Sequence, residues 1–275
     1  MAAPAWDQLF DVSGKIVLVT GGSRGVGKMI ATGFVAHGAS VYITSRDAKS
    51  CNDTVIELNK LGAGSCTAIP ANLSQYSEVE RLVDEMSKKE KKLHVLVNNA
   101  GVTWGSTLED FPDEAFSKVL LLNLQRVFTL TQKLLPLLDA AVIRTAGNEK
   151  SFDDPARVIN IGSVDGEKVP FLETYAYSSS KAGLHHMTRH MSGRQGSRGI
   201  TFNSIAPGPF QSKMMKQTLQ NFGEAIVSGI PLGRIGSPED VAGTCIFLAS
   251  RAGAYVNGAN IALDGGSMTS PPARL

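Results

Sequence analysis

The fold of this 275-residue chain is decided by the run Ile16-Val17-Leu18-Val19-Thr20-Gly21-Gly22-Ser23-Arg24-Gly25-Val26-Gly27. Its first four residues are apolar and mostly β-branched, which is typical of a strand buried in a parallel sheet. Residues 28–37 then show the spacing of an amphipathic helix. A strand, a glycine turn and a helix start present free backbone N–H groups to a phosphate, and glycine lets a pyrophosphate approach the backbone closely. The run therefore predicts a dinucleotide site.

The spacing of this run, T-G-x-x-x-G-x-G, resembles the cofactor loop of the short-chain dehydrogenase/reductase family. The resemblance continues through Asn98-Asn99-Ala100-Gly101 and Pro207-Gly208, and covers about residues 12–267. It implies an α/β fold, a Rossmann-like doubly wound parallel sheet of about seven strands flanked by helices. We therefore expect residues 1–275 to form a single domain, with a substrate lid around 209–230.

The residues after the second predicted strand, 41–44, bear on the choice of cofactor. In dinucleotide folds an acidic residue here binds the ribose 2′-hydroxyl, whereas an arginine accommodates a 2′-phosphate. Ser45 occupies the acidic position, Arg46 follows it, and Arg24 approaches from the glycine loop. Asp47 is expected to cap the next helix, 48–61, instead of binding ribose. The pattern favours NADP(H) over NAD(H), although both arginines as ordinary surface charges remain an alternative.

A tyrosine and a lysine in Tyr177-Ser178-Ser179-Ser180-Lys181 lie four residues apart at the start of a predicted helix. Such positions share one helix face, and a nearby cation favours the phenolate, so the pair can transfer protons. Ser163 follows a predicted strand, 157–161, at the sheet edge where doubly wound folds bind ligands. It suits a hydrogen-bond donor to a carbonyl better than a nucleophile. With Asn123, these residues resemble the family's Asn–Ser–Tyr–Lys tetrad.

The resemblance implies an NADPH-dependent oxidoreductase that reduces a ketone to a secondary alcohol by hydride transfer. In it, Tyr177 protonates the alkoxide, Ser163 orients the carbonyl, Lys181 binds ribose and lowers the tyrosine's pKa, and Asn123 holds a relay water. The chain most resembles the 3-oxoacyl reductases associated with rhamnolipid synthesis, so a 3-oxoacyl thioester is the expected substrate. A secondary-metabolite or broad-specificity carbonyl reductase is one alternative, and a non-catalytic NADP-binding sensor or scaffold is another.

The cofactor contacts implied by the resemblance lie in the glycine loop and at the ends of the predicted strands. They are Gly21, Ser23, Arg24, Gly25, Val26, Gly27, Ser45, Arg46, Asn72, Leu73, Asn99, Ala100, Gly101, Tyr177, Lys181, Pro207, Gly208, Phe210 and Ser212. Substrate contacts are predicted for Asp165, Tyr175, Met214 and Met215. Asp165 stands where the family has a small residue, and a solvent-facing turn residue is its alternative. Core packing explains the methionines equally well.

Composition narrows the possible partners. With 27 basic and 25 acidic residues, the net charge of +2 gives no reason to expect nucleic acid. Three scattered cysteines indicate unpaired thiols in a reducing compartment. The spacing of His185, His186 and His190 matches no metal motif, so we predict no metal and a packing or interface role.

The remaining expectations concern location and assembly. No secretory signal and no apolar run of about 20 residues is present, which predicts a cytoplasmic protein without a membrane span. The tripeptide Ala273-Arg274-Leu275 matches the broad class of peroxisomal C-terminal signals. The family suggests a homotetramer or homodimer, with helices 115–138 and 177–195 as interfaces. Residues 139–154 are polar and predict a long surface loop.

Overall fold

Seven parallel strands form the centre of the computed structural model, which describes residues 6–213 and 215–269 apart from the side chain of Glu149. The strand order is β3-β2-β1-β4-β7-β8-β9. The strands are β1 (Ile16–Thr20), β2 (Ser40–Thr44), β3 (Ser65–Ala68), β4 (Val95–Asn98), β7 (Ala156–Ile161), β8 (Ile200–Pro207) and β9 (Asn260–Leu263). The chain runs outward from β1 to β3, crosses back to β4 and continues to β9, which confirms the predicted doubly wound sheet.

Helices cover both faces of the sheet. They are α1 (Gly25–Ala36), α2 (Ala48–Leu58), α3 (Tyr76–Lys89), α4 (Asp113–Leu120), α5 (Arg126–Asp139), α6 (Tyr175–Gln195), α7 (Lys216–Ser228) and α8 (Pro238–Ala249). Successive strand residues point to opposite faces, so β1 contributes to two cores. Val17 and Val19 pack with α1 and α8 on one face, while Leu18 packs with α3 and α5 on the other.

Two helix starts are capped by side chains. The side chain of Asp47 accepts a hydrogen bond from Ser50 N at 3.1 Å and so caps α2. Ser237 and Asp240 form a capping box at the start of α8, with Pro238 as its first residue. Both caps are formed by residues close in sequence, which explains why the predicted start of α2 agrees with the structure.

The helix predicted at 115–138 is interrupted. Its two α-helical parts, α4 and α5, are joined by a π-helical turn over Leu121–Gln125, which contains Asn123. Such turns are rare and are often found at functional sites.

The prediction of a surface loop at 139–154 is wrong. Strands β5 (Ile143–Thr145) and β6 (Asn148–Asp154) form an antiparallel hairpin, with register shifts between their pairs. Gly147 has φ +75° in the turn, a conformation that favours glycine. The Phe152 ring lies so close to Gly199 that a Cβ there would be 2.6 Å from Cδ1. The polar, irregularly paired sequence lacks the alternation that marks a strand, so tertiary packing is needed to recognise this one.

All three cysteines are buried free thiols, as predicted. Within residues 6–213 and 215–269, no helix is long and apolar enough to cross a bilayer.

Candidate active site

The glycine loop lies between the end of β1 and the start of α1. Gly21 and Gly25 have φ of +65° and +54°, which side-chain-bearing residues rarely adopt. A Cβ on Gly27 would lie 2.4 Å from both Gly21 O and Asn99 Nδ2, so only glycine fits there. No side chain caps α1, and its first turn contains no acidic residue. The backbone N–H groups at this helix start therefore form a cradle that can donate hydrogen bonds to a dinucleotide pyrophosphate.

The loop is held to the neighbouring strands by polar side chains. Ser23 Oγ donates to Ser45 Oγ at 2.9 Å, which ties the loop to the residue after β2. Asn99 Nδ2 donates to Thr20 O at 2.9 Å, and Thr20 Oγ1 accepts from the backbone N–H groups of Asn99 and Ala100. Sequence reasoning did not identify Thr20 as the residue that connects the glycine loop to β4.

Both predicted 2′-phosphate ligands are exposed at the end of β2. Arg24 and Arg46 form no ion pair within residues 6–213 and 215–269. Hydrogen bonds from Ser50 and the nearby Arg24 charge both lower the pKa of Asp47. Asp47 therefore caps α2, as the sequence analysis predicted.

Two further predicted cofactor residues lie after β3. Asn72 Oδ1 accepts from Ser74 Oγ at 2.8 Å and starts a turn before α3. Leu73 is 7% exposed and belongs to the core cluster on the α3 and α5 face. Their position is close to the β2 end, because Ala71 N donates to Ser45 O at 3.0 Å.

Ser163 and Tyr177 meet at the carboxyl end of β7. The Ser163 hydroxyl lies close enough to the Tyr177 phenol to lower its pKa, and Asp165 N donates to Ser163 Oγ at 3.1 Å. Desolvation raises the pKa of Tyr177 to about 12; the Ser163 hydroxyl lowers it and the Asp165 charge adds to the increase. The phenol therefore stays protonated at neutral pH. The raised pKa differs from the expected lowering by Lys181, because desolvation of the phenol is the largest contribution.

Lys181 is 4% exposed, and its ammonium donates to Ile161 O at 2.7 Å. Its Nζ lies 5.5 Å from the centroid of the Tyr177 ring, as the shared helix face predicts. Desolvation lowers the pKa of Lys181 to about 8. A Cβ on Gly101 would lie 3.8 Å from Lys181 Nζ and 3.1 Å from Asn123 Oδ1, so the segment after β4 reaches the same small volume.

Asn123 uses its whole amide within the protein. Oδ1 accepts from Val102 N at 2.9 Å, while Nδ2 donates to Val102 O at 2.9 Å and to Ser180 Oγ at 3.0 Å. The side chain thus joins the loop after β4 to α6, one residue before Lys181. A water relay through this turn stays a prediction.

Of the predicted substrate residues, Asp165 is half-buried and desolvation raises its pKa. Its charge contributes to the raised pKa of Tyr177, so Asp165 lies near the phenol. Tyr175 is 37% exposed, donates to Glu173 Oε1 at 2.9 Å and borders a small cavity with Phe111. Met215 lies just before α7, and its N–H donates to Ser212 Oγ at 3.2 Å. Met214 lies outside the described residues, as does the C-terminal tripeptide 273–275.

The segment after β8 returns to the glycine loop. A Cβ on Gly25 would lie 3.4 Å from Ser212 Cβ, so the predicted cofactor contacts that begin at Pro207 and Gly208 are adjacent to the glycine loop. The ring of Phe210 is 3% exposed and packs on Gly236 in the core instead of lining the cleft.

The predicted phosphate cradle, arginines and tetrad thus share one edge of a doubly wound sheet, which defines a dinucleotide-dependent oxidoreductase. The sequence model of the family described as Enoyl-(Acyl carrier protein) reductase matches residues 21–268. A rhamnolipids biosynthesis 3-oxoacyl-[acyl-carrier-protein] reductase from Pseudomonas aeruginosa is 44% identical over 94% of this chain and 97% of its own. A 5-keto-D-gluconate 5-reductase from Escherichia coli is 30% identical over 96% and 99%.

Among solved structures, the Pseudomonas aeruginosa RhlG/NADP active-site complex matches with a TM-score of 0.86 and 43% identity, covering 94% of this chain and 98% of that one. The chain belongs to the short-chain dehydrogenase/reductase family. The prediction of an NADP(H)-dependent oxidoreductase that reduces a ketone is confirmed.

Proposed function

We propose that the chain reduces a 3-oxoacyl thioester to the 3-hydroxyacyl thioester with NADPH. The observation that carries the proposal is the proximity of the Ser163 and Tyr177 side chains, which brings two hydroxyl groups together beside the buried Lys181. Two hydroxyl donors that converge in this way suit one oxygen atom that develops negative charge, as a ketone oxygen does during reduction.

Bound NADPH supplies the hydride. The protein's part is to hold and protonate the carbonyl oxygen. Ser163 donates a hydrogen bond to it, and Tyr177 delivers the proton, since its raised pKa keeps the phenol protonated before the reaction. Lys181 places a positive charge within reach of the phenol and of the cofactor ribose. Asn123 keeps the loop carrying Gly101 and Val102 fixed against α6.

Arg24 and Arg46 provide the selectivity for NADP(H). Arg24 and Arg46 are exposed near the end of β2, where Ser45 takes the position of the acidic residue and the Asp47 carboxylate accepts hydrogen bonds from Ser50. Arginine matches phosphate geometry with two parallel hydrogen bonds, so the pair favours the phosphorylated cofactor.

The cleft rim favours an acyl chain over a sugar acid. Val169 and Phe171, in the loop after Ser163, are 94% and 89% exposed, and Phe222 on α7 is 44% exposed. The rings of Phe171 and Phe222 meet edge to face with centroids 6.1 Å apart, so the loop and α7 touch across the cleft. α7 buries none of its side chains, which is consistent with the proposed lid at 209–230. A row of exposed apolar groups stabilises an alkyl chain by about 0.8 kcal/mol for each CH₂ it buries.

The relatives include enzymes of both kinds, since one is named for a 3-oxoacyl-[acyl-carrier-protein] and another for 5-keto-D-gluconate. A broad-specificity or secondary-metabolite carbonyl reductase is the second candidate. The half-buried Asp165 beside Tyr177 favours it, because a carboxylate there can bind a polar substrate group.

A homotetramer or homodimer is part of the proposal. Ser117, Leu120, Leu121 and Leu124 line a groove of 510 Å³ on α4 and the π turn, and Phe128 beyond it is 45% exposed. This face belongs to one of the two helices predicted as interfaces. We also propose a cytoplasmic location.

The decisive test is NADPH oxidation by the purified chain with four ketones: a short-chain and a long-chain 3-oxoacyl thioester, 5-keto-D-gluconate and a bulky aryl ketone. We expect kcat/KM for the long thioester to exceed that for the short one by about tenfold or more. Preference for the keto acid or the aryl ketone would contradict the acyl substrate. Absence of turnover with all four would contradict the catalytic assignment itself.

A further inference from the structure

A buried polar chain begins at the main chain of Ser163. His185 lies on α6, one turn after Lys181, and is 1% exposed. Its Nε2 is 3.1 Å from Ser163 O, and its Nδ1 is 3.1 Å from Ser204 Oγ on β8. The same helix therefore carries Tyr177, Lys181 and a side chain that holds the backbone of Ser163.

The loop carrying Ser163 is shaped around the imidazole ring. A Cβ on Gly162 would lie 2.0 Å from His185 Cε1, and a Cβ on Gly166 would lie 2.9 Å from its Cδ2. The ring thus occupies the space that side chains at both glycines would need. Ser163 O also accepts from Gly166 N at 3.0 Å, so its two lone pairs are both used.

The chain continues to the edge of the sheet and returns to the loop. Ser204 Oγ donates to Asn260 Oδ1 at 2.8 Å, and Asn260 Nδ2 donates to Glu167 Oε1. Glu167 Oε1 is 3.9 Å from His185 Nε2. Four elements, α6, β8, β9 and the loop after β7, are therefore connected through one imidazole.

When the His185 ring is neutral, the hydrogen-bonded series from Ser163 to Glu167 lacks one hydrogen atom. His185 Nε2 faces a carbonyl and must carry a hydrogen, so Nδ1 of the neutral ring can only accept. The single hydroxyl hydrogen of Ser204 is then needed by both His185 Nδ1 and Asn260 Oδ1. A proton on Nδ1 removes the conflict, because Nδ1–H donates to Ser204 Oγ and Ser204 donates to Asn260.

The groups around the His185 ring have opposite effects on its pKa. Burial lowers the pKa of His185 below its ordinary value, and Lys181 and Arg189 on its own helix act in the same direction. The hydrogen bond to Ser163 and the charge of Glu167 raise it. β8 presents the neutral Ser204 to the ring, and the neutral Asn260 on β9 is hydrogen-bonded to Ser204.

We propose that His185 is a positioning residue, which fixes the main chain of Ser163 through Nε2–H, and that proton uptake at Nδ1 tightens this attachment through Ser204, Asn260 and Glu167. The proposal rests on the role of Ser163 given under the proposed function. It assigns to a histidine outside the tetrad the placement of the substrate-orienting hydroxyl.

Three variants separate positioning from packing. His185→Phe fills the space but removes both nitrogens, and His185→Gln keeps an N–H donor but cannot titrate. His186→Gln, on the exposed next residue, is the matched control. We expect His185→Phe to lower kcat by about 10- to 100-fold with unchanged affinity for NADPH, since small displacements of catalytic groups have effects of this size. His185→Gln should recover most of kcat but lose the increase that the wild type shows as pH falls through the pKa of His185.

If His185→Phe has the kcat of the wild type, the proposal is overturned. It is also overturned if His185→Phe and His185→Gln lose kcat equally and keep the pH profile of the wild type. If His185→Phe does not fold, Ser204→Ala decides the matter, because it keeps the ring and removes its link to Asn260. It should remove the acid-side increase of kcat, and retention of that increase would overturn the proposal.

A measurement without turnover separates this inference from the proposed function. The ring protons of His185 should titrate below the ordinary histidine pKa in an NMR experiment, and Glu167→Gln should lower that pKa further because it removes the favourable charge. If the pKa of His185 is the same in Glu167→Gln as in the wild type, the proposed hydrogen-bond network is contradicted, even if the enzyme reduces ketones. If Glu167→Gln lowers the pKa of His185, the proposed hydrogen-bond network is supported, even if none of the four ketones is a substrate.

Discussion

The two ends of the candidate site are built differently. At the cofactor end, defined by the glycine loop and the ends of β1 and β2, Gly22 is buried and packs so closely on Ile43 that a Cβ would lie 2.7 Å from Cγ2. At the substrate end, defined by residues 164–174 and α7, Val169 is 94% exposed and α7 has no buried residue. Steric fit fixes the first end, whereas few contacts constrain the second.

This contrast explains why the structure of the site restricts its reaction more narrowly than its substrate. The cofactor end leaves a single shape for the backbone, and that shape presents N–H groups to a phosphate. The substrate end owes its form to loops whose local stability is low, so its specificity depends on a few exposed side chains.

The largest effect is expected where both ends meet, at Tyr177. Tyr177→Phe should reduce kcat by about 10²–10⁴-fold, because it removes the proton donor while leaving the half-buried ring in place. NADPH affinity, measured by fluorescence titration, should stay within about twofold of the wild type. Retention of most of the turnover would place the proton donor elsewhere.

Removing a guanidinium tests the cofactor end. Arg24→Ala and Arg46→Ala should each lower kcat/KM for NADPH by roughly 10- to 100-fold, since a hydrogen bond to a charged group contributes about 1.5–3 kcal/mol. The values for NADH should change little. Arg251→Ala, which removes another exposed arginine, serves as the control. Equal losses with both cofactors would show that the arginines do not bind the 2′-phosphate.

Phe171→Ser tests the substrate end. It should raise KM for a long-chain 3-oxoacyl thioester by about 5- to 20-fold. When the bound alkyl chain buries an aromatic side chain, the apolar contact contributes about 1.5–3 kcal/mol, and serine keeps only part of that contact. KM for the short-chain thioester should hardly change. Tyr255→Ser removes another fully exposed ring and should leave both values unaltered. A parallel increase for both chain lengths would contradict an acyl-chain role.

The smallest effect is on stability. The pKa of Lys181 is about 8 in the folded protein, below its ordinary value of 10.5, so the unfolded chain binds more protons between these pH values. Burial of the protonated Lys181 therefore lowers the free energy of unfolding by its full amount below pH 8, and this effect disappears as pH rises towards 10.5. Lys181→Met should therefore raise Tm by a few degrees at pH 7, with the difference shrinking by pH 10. Lys60→Met, at an exposed site, is the control. A difference that grows with pH would contradict the assignment.

Local patterns predicted most of the fold. The buried runs in β1, β2, β4, β7 and β8, the Asp47 cap and the Ser237 capping box are each signalled by neighbouring residues. The hairpin of β5 and β6 was missed because its strands are polar and are stabilised by contacts to distant residues, as Phe152 shows against Gly199.

The sequence by itself determined the chemical composition of the site: a glycine loop at the end of a buried strand, a Tyr–Lys pair one helical turn apart and a serine at a strand's carboxyl end. These follow from local periodicity and from backbone conformations that only glycine adopts. Only the tertiary structure decided that the amide of Asn123 is used by Val102, that desolvation raises the pKa of Tyr177 and that His185 lies against Ser163. Burial and contacts between distant segments depend on how the helices pack on the sheet, and no spacing along the chain contains that information.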